Sequence, residues 1–374
     1  MTTSTQAPLL FQPTTLGPLE LPNRLVMAPM TRTRAGADGV PQPITATYYT
    51  QRASAGLIIA EASTPNAVGQ TYANIPGIHT PSQVAGWRTV TEAVRAAGGR
   101  MFLQLQHGGR IGHPENSGLH PLAPSPIALP GTIHTPSGHQ DTVVPREMTA
   151  RQIRETVADF ATAARNALAA GFAGVEVHAA NGYLLHQFLA RNTNHRTDEY
   201  GGPAANRIRF VVEVVRAVAA AIGPERVGLR VAPGVTANDI EEGDTADIYR
   251  ALIPALAGDR LAYLHVVFAD PDADVYQQIR RDWPGTLIAN PALGRGGALP
   301  ADGGRVAAER LLAAGADLIA FGRGFLANPD LVARLRTGAP LNEVRGHQMY
   351  AGGTEGYTDY PTLAAADPIT EPVA

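Results

Sequence analysis

Eight short apolar runs, each closed by polar, Gly or Pro residues and spaced by helix-like stretches, constrain this 374-residue chain more than any other feature. The runs are "RLVMAP" at 24–29, "GLIIAE" at 56–61, "MFLQLQ" at 101–106, "GVEVHA" at 174–179, "VGLRVA" at 227–232, "AYLHVV" at 262–267, "GTLIAN" at 285–290 and "DLIAFG" at 317–322. They read as continuously apolar, the pattern of parallel strands covered on their outer face. Between them, "TARQIRETVADFATAARNALAAG" places Ile153, Val157, Phe160 and Ala164 at helical spacing, with Gly171 as a C-terminal stop. "NRIRFVVEVVRAVAAAIG" and "GRVAAERLLAAG" read the same way. Eight strands alternating with helices favour an α/β closed barrel, the (β/α)8 TIM barrel with right-handed crossovers, over a doubly wound open sheet.

The chain reads as one barrel domain over 1–374, with no internal repeat or linker. The connection from about 107 to 149, rich in Pro, Gly and His, is too long for a turn and predicts an excursion over the barrel mouth after strand three. A second irregular stretch, "YAGGTEGYTDYPTL", lies near the C-terminus.

Composition removes several function classes. A net charge of −3 gives no general pull towards nucleic acid or an anionic membrane. With 44% hydrophobic and 17% charged residues the chain suits a globular core and not disorder. The absence of cysteine excludes disulfides, thiolate metal sites and cysteine nucleophiles. The first residues lack the pattern of a signal peptide and no apolar run is long enough to span a bilayer, so cytoplasmic residence is expected.

In such barrels the loops after the strands form the active face, so polar residues at strand C-terminal ends matter most. These are Thr31, Glu61, Gln104 with His107, then His178, Asn181 and Tyr183, and Arg230. Any one of them could equally be a satisfied core polar group. Their joint appearance at one end of successive strands favours a site. After the last strand, Gly322, Arg323 and Gly324 precede a helix, where backbone donors and a guanidinium can meet a phosphate. His107 and His178 stand on separate strands without a compact ligand cluster, so no metal site is expected.

Six blocks, "NRLVMAPMTRTR", "YYTQRASAGLIIAEAS", "FLQLQHGGR", "GFAGVEVHAANGYLLHQFLARNTNHRTDEYGG", "FGRGFLANPDLVARL" and "GGTEGYTDYP", together resemble the Old Yellow Enzyme family of flavin-dependent ene-reductases. The resemblance runs from about residue 10 to 362. It implies noncovalent FMN across the barrel mouth, with Thr31 at the flavin carbonyl near its reactive nitrogen and Pro29, Met30 and Ala60 giving main-chain contacts and packing. Gln104 matches the residue on the pyrimidine edge, Arg230 the cation at the N1 and O2 side, and Gly322 and Arg323 the phosphate contacts. His178 and Asn181 match the pair that binds an activating carbonyl or nitro oxygen, and Tyr183 matches the proton donor. Tyr72 and Tyr350 match pocket-shaping aromatics.

The resemblance thus implies reduction of activated alkenes by a ping-pong route, with NADPH or NADH first reducing the flavin and the small-molecule alkene then reoxidising it. Attack on nitrate esters or nitroaromatics at the same site is the alternative, and a flavin-binding barrel without turnover the more distant one. The protein is expected to be a monomer or homodimer. Three features set this chain apart within the resemblance. Many relatives carry Trp where Gln106 stands, so a pocket for bulkier β-substituents or a flipped pose is expected. Another branch places Cys where this chain has Thr31. The segment "IANPALGRGGALPADGGR" is also longer and richer in Gly and Pro than the usual connection after strand seven.

Overall fold

The structure is a computed structural model that describes residues 8–293, 298–350 and 352–363. All eight apolar runs are strands: β1 (Leu25–Met27), β2 (Leu57–Ser63), β3 (Met101–Leu105), β4 (Gly174–Ala179), β5 (Val227–Val231), β6 (Tyr263–Ala269), β7 (Leu287–Pro291) and β8 (Leu318–Phe321). Every neighbouring pair is parallel, and the pairing of β4 with both β3 and β5 closes the ring in chain order. Each crossover carries a helix: α1 (Pro43–Thr50), α2 (Pro81–Ala96), α3 (Ala150–Ala169), α4 (Arg209–Ile222), α5 (Thr245–Ala257), α6 (Asp274–Asp282) and α7 (Arg305–Ala313), with α8 (Leu331–Thr337) after the last strand.

Local chemistry sets these helices. α2 and α3 each begin with a reciprocal capping box, Thr80 with Gln83 and Thr149 with Gln152, which satisfies two otherwise orphaned amides. α3 ends before Gly171, which takes φ +91°, a value that costs glycine nothing. Its Ile153, Phe160 and Ala164 are buried as their spacing predicts, while Val157 is only half-buried at the edge of that face.

The strands do not read uniformly once inside and outside are separated. Val175, Val177 and Ala179 of β4 point outwards into the layer shared with Phe160, Val211 and Val215 of the helices. By the two-residue period of a strand, Glu176 and His178 point inwards. At the opposite end of the barrel, a small hairpin of Thr14–Leu16 and Leu19–Leu21 packs Leu16 and Leu21 against Val26, Ile59, Phe102, Ile288 and Leu318. That plug closes the N-terminal end, so the interior opens only where the strands finish.

Two further pieces build the open end. The segment from 107 to 149 holds a hairpin, Thr132–Thr135 with Gly138–Asp141, and a two-residue parallel pairing of Leu122–Ala123 with Arg146–Glu147. Ile133 of the hairpin packs on Ile111 and Leu129, against which Tyr72 and Tyr183 also lie. The second piece is a strap, residues 345–350 and 352–361, laid across the end of β1. Tyr357 stacks on Tyr48 with ring centroids 4.1 Å apart, and the Arg32 guanidinium lies 4.9 Å from both rings. Arg32, Arg34 and Arg52 donate to strap carbonyls of Gly356, Glu355 and Tyr357 respectively. Three buried cations are thus spent on backbone oxygens that would otherwise be left without donors.

Candidate functional site

The strand ends, the hairpin and the strap enclose a cavity of about 1120 Å³. Pro29, Met30 and Thr31 after β1, Gln104 and Gln106 of the β3 end, and Arg230 of β5 line it. His178, Asn181 and Tyr183 form another part of the wall, with Tyr72 beside them. Gly322 and Arg323 at the end of β8 and Tyr350 of the strap complete the residues read from the sequence. His134 and His139 of the hairpin and Met349 of the strap also line the cavity.

Three strand-end residues do not face it. Ala60, expected to contact a cofactor, is fully buried in the outer layer between β2 and the helices. In the alternating pleat of β2 its methyl falls on the face opposite Ile59, which looks into the barrel. Glu61 instead accepts the backbone N–H of Arg32 at 3.0 Å. His107 turns its Nδ1 to accept from Gly109 N at 3.1 Å, and burial lowers its pKa to about 3. Of the long segment after β7, residues 294–297, including Arg295, lie outside the described residues; Asn290 reaches the cavity while donating to Ala320 O at 2.8 Å.

The turn after β4 owes its shape to small and polar residues. Asn181 and Gly182 take φ +54° and +81°. A Cβ on Gly182 would meet the carbonyl oxygen of Ala237 at 2.7 Å, so only glycine fits there. Asn238 Nδ2 donates to Asn181 O at 2.8 Å, and Gln187 Nε2 donates to Gly182 O at 2.7 Å. Beneath them, His186 accepts from Gly182 N at 3.1 Å through Nδ1 and meets Glu242 Oε1 at 2.9 Å through Nε2. Glu242 also accepts from Tyr249 and from Gly234 N. A buried scaffold of this kind holds the turn rigid, which a site on a loop needs.

The chemistry of the three presented groups follows. His178 Nδ1 accepts from Ala180 N at 3.2 Å, so the proton of the neutral ring sits on Nε2. Burial, then the Arg230 guanidinium, hold its pKa well below the ordinary histidine value, so it stays a neutral N–H donor. Asn181 has a buried Oδ1 without a partner among the described residues. Tyr183 packs edge-on to His178 at 5.0 Å, and burial, followed by neighbouring Tyr72, lifts its phenol well above the usual value. Its proton is therefore retained at every working pH.

On the neighbouring strand, in register with His178, Arg230 is only 6% exposed, yet among the described residues its hydrogen bonding is a 3.5 Å contact to Pro29 O and its Nε has no partner. A buried guanidinium left this open is costly unless something anionic or carbonyl-bearing joins it. At Gly322 an added Cβ would come within 3.3 Å of Met30 Sδ, so its hydrogen leaves room on that wall for a close neighbour. Gln106, on the same wall as Gln104, is tied by Nε2 to Thr71 Oγ1 at 3.0 Å. Among the described residues no three His, Cys, Asp or Glu side chains gather as a metal site, and no helix is long and apolar enough to cross a membrane.

Several supports escaped the sequence reading: Glu176, His186, Gln187, Glu242 and His265. For Glu176 and His265 a signal existed, a polar residue at the inward phase of an otherwise apolar strand. For Glu242, in a loop after β5, there was none.

Residues 9–342 match the NADH:flavin oxidoreductase / NADH oxidase family. The "Probable flavin mononucleotide-dependent alkene reductase" of Leishmania infantum is 41% identical, covering 95% of this chain and 98% of that protein. 12-Oxophytodienoate reductase 1 of Oryza sativa subsp. japonica is 38% identical over 96% and 94%. Among solved structures, morphinone reductase in complex with tetrahydroNAD superposes with a TM-score of 0.88 at 43% identity, over 98% of this chain and 100% of that one. The old yellow enzyme homologue from Zymomonas mobilis gives 0.89 at 38% identity, over 95% and 100%.

Proposed function

Since this chain belongs to the NADH:flavin oxidoreductase / NADH oxidase family and is an Old Yellow Enzyme homologue, we propose that its cavity holds FMN and reduces activated C=C bonds at the expense of NADPH or NADH. The cavity fits such a group on its own terms. Arg230 offers a buried cation whose Nε has no partner among the described residues, suited to the electron-accepting pyrimidine side of the ring system, and Gln104 lines the same cavity. Pro29, Met30, Thr31, Gly322 and Arg323 all line the cavity; the first three would border the ring's reactive edge and the Gly322–Arg323 turn would hold the phosphate. The chemistry FMN supplies when bound is hydride transfer, received from a nicotinamide and delivered to the β-carbon of the alkene.

The chain's residues prepare the alkene for it. His178 Nε2–H and the Asn181 amide donate to the carbonyl oxygen of the substrate and draw density from the conjugated bond. Because His178 is neutral, it polarises that oxygen without giving up its proton. Tyr183, which stays protonated, gives the proton to the α-carbon. The lining aromatics Tyr72 and Tyr350 and the tethered Gln106 shape the space around the reacting carbons. A nitro group presents equivalent oxygens, so nitroalkenes fall within the same class.

One observation carries this reading: a neutral imidazole donor, a carboxamide and a proton-retaining phenol share a cavity with an open guanidinium. Purified protein should show flavin absorbance, bleach with NADPH or NADH under argon and recover its colour on adding 2-cyclohexenone. A colourless protein that fails to take up added FMN would overturn the proposal.

A further inference from the structure

One inward layer below His178 lies a carboxylate that the reaction above does not use. Glu176 is fully buried in the middle of β4, in register with Gln104 on β3 and Gly228 on β5. Gln104 Nε2 donates to its Oε1 at 2.8 Å, and His265 Nδ1 meets its Oε2 at 2.8 Å. Burial pushes a carboxyl up at such depth, but the two donors and the Arg230 guanidinium outweigh it and hold Glu176 below the usual range. Burial, the largest influence on His265, lowers it as well.

Two consequences follow from a carboxylate's having only acceptors. Gln104 must turn its NH2 group down to Glu176, which leaves its carbonyl oxygen for the cavity it lines. A half-turn of that amide would set two acceptors against each other. His265 must carry its proton on Nδ1. In addition, Arg230 stands in register with His178 on the neighbouring strand, one inward layer above Glu176, so the carboxylate is within Coulombic reach of a guanidinium whose hydrogen bonding among the described residues is a 3.5 Å contact to Pro29 O.

We propose that Glu176 is a positioning residue: it fixes the hydrogen-bonding face that Gln104 shows to FMN and offsets the charge with which Arg230 meets that cofactor. The inference rests on the FMN reading above. An uncompensated Arg230 would favour the anionic reduced cofactor over the neutral oxidised one. Glu176 therefore keeps the bound flavin from holding its electrons too tightly.

The test uses the full chain loaded with FMN and two variants. Glu176→Gln removes the charge and one acceptor. Its bound flavin should be easier to reduce, with the ratio of reduced to oxidised affinity raised by on the order of tenfold, or about 30 mV for a two-electron couple in a dye-coupled titration. Glu176→Asp keeps the charge but is too short to serve both donors. It should leave the potential at the wild-type value while weakening FMN binding about tenfold, read by fluorescence of the released cofactor.

A Glu176→Gln potential equal to or below wild type overturns the charge role, and a Glu176→Asp affinity equal to wild type overturns the positioning role. Should Glu176→Gln fail to fold, the Asp variant still decides the positioning role. Wild-type protein that binds no FMN sinks the earlier reading instead, so the two failures are distinct.

Discussion

Tyr183 keeps its proton because it is buried beside another phenol, and this makes it both a reliable donor and a clean target for substitution. Tyr183→Phe preserves the ring that packs against His178, so flavin reduction by the nicotinamide should run at the wild-type rate in stopped flow. Alkene turnover should fall by roughly 10²-fold or more. At the neighbouring wall, Gln106→Trp would break the tie to Thr71 and fill part of the cavity. The enantiomer ratio of a β-substituted enone product should change; chiral chromatography reads it, and an unaltered ratio removes Gln106 from the orientation of substrate. His107 gives a pH prediction. With a pKa of about 3 in the folded chain against about 6.5 unfolded, the unfolded state binds more protons between these values. Its contribution is whole above pH 6.5 and drains away as pH falls towards 3. His107→Asn, which can still accept from Gly109 N, should flatten the acid limb of denaturant stability by up to ~1.4 kcal/mol per pH unit in that window.

At the scale of elements, the arginines that follow β1 and α1 matter through what they hold. Arg32 and Arg52 meet Tyr48 and the strap carbonyls around Tyr357, and the strap in turn places Met349 and Tyr350 on the cavity. Tyr357→Ala should cost about 3–5 kcal/mol in urea unfolding, the range for removing a buried aromatic. It should also expose the strap to limited proteolysis. Tyr357→Phe should be near neutral, since the hydroxyl meets no hydrogen-bond geometry among the described residues and has at most a weak contact with Thr45. The strands, their order and the excursion after β3 were legible in the sequence because apolar run length and Gly/Pro punctuation are local properties. The strap's role was not: its partners, Arg32 and Gly356, are 324 positions apart, and such a pairing leaves no local period. Ala60 shows a related limit, since chain position places it at a strand end while pleat phase turns its methyl to the outer layer and leaves its main chain for the contact expected of it.

For the molecule as a whole, a cavity built from the ends of most barrel strands and from the strap means that cofactor binding and folding are coupled. A ligand that binds only the folded barrel at a hundred times its dissociation constant adds about 2.7 kcal/mol. FMN-depleted protein should therefore melt earlier and regain its melting temperature on titration with FMN, whereas riboflavin, without the phosphate for the Gly322–Arg323 turn, should restore less. The residues expected from the family resemblance line one cavity, except Ala60; beneath them, Glu176 and His265 stand out in the sequence as polar residues at the inward phase of apolar strands, but their pairing across 89 positions leaves no local sign. The strap also imposes an order in time. Because Met349, Tyr350 and Gly352 complete the wall after β1, a ribosome that has delivered the whole barrel has still not delivered the far side of the pocket. Nascent chains halted before Glu355 would leave Arg32 and Arg34 without the Gly356 and Glu355 carbonyls, while Arg52 keeps those of Tyr48, Phe325 and Leu326, so the strap is anchored on this side only once its last residues have emerged.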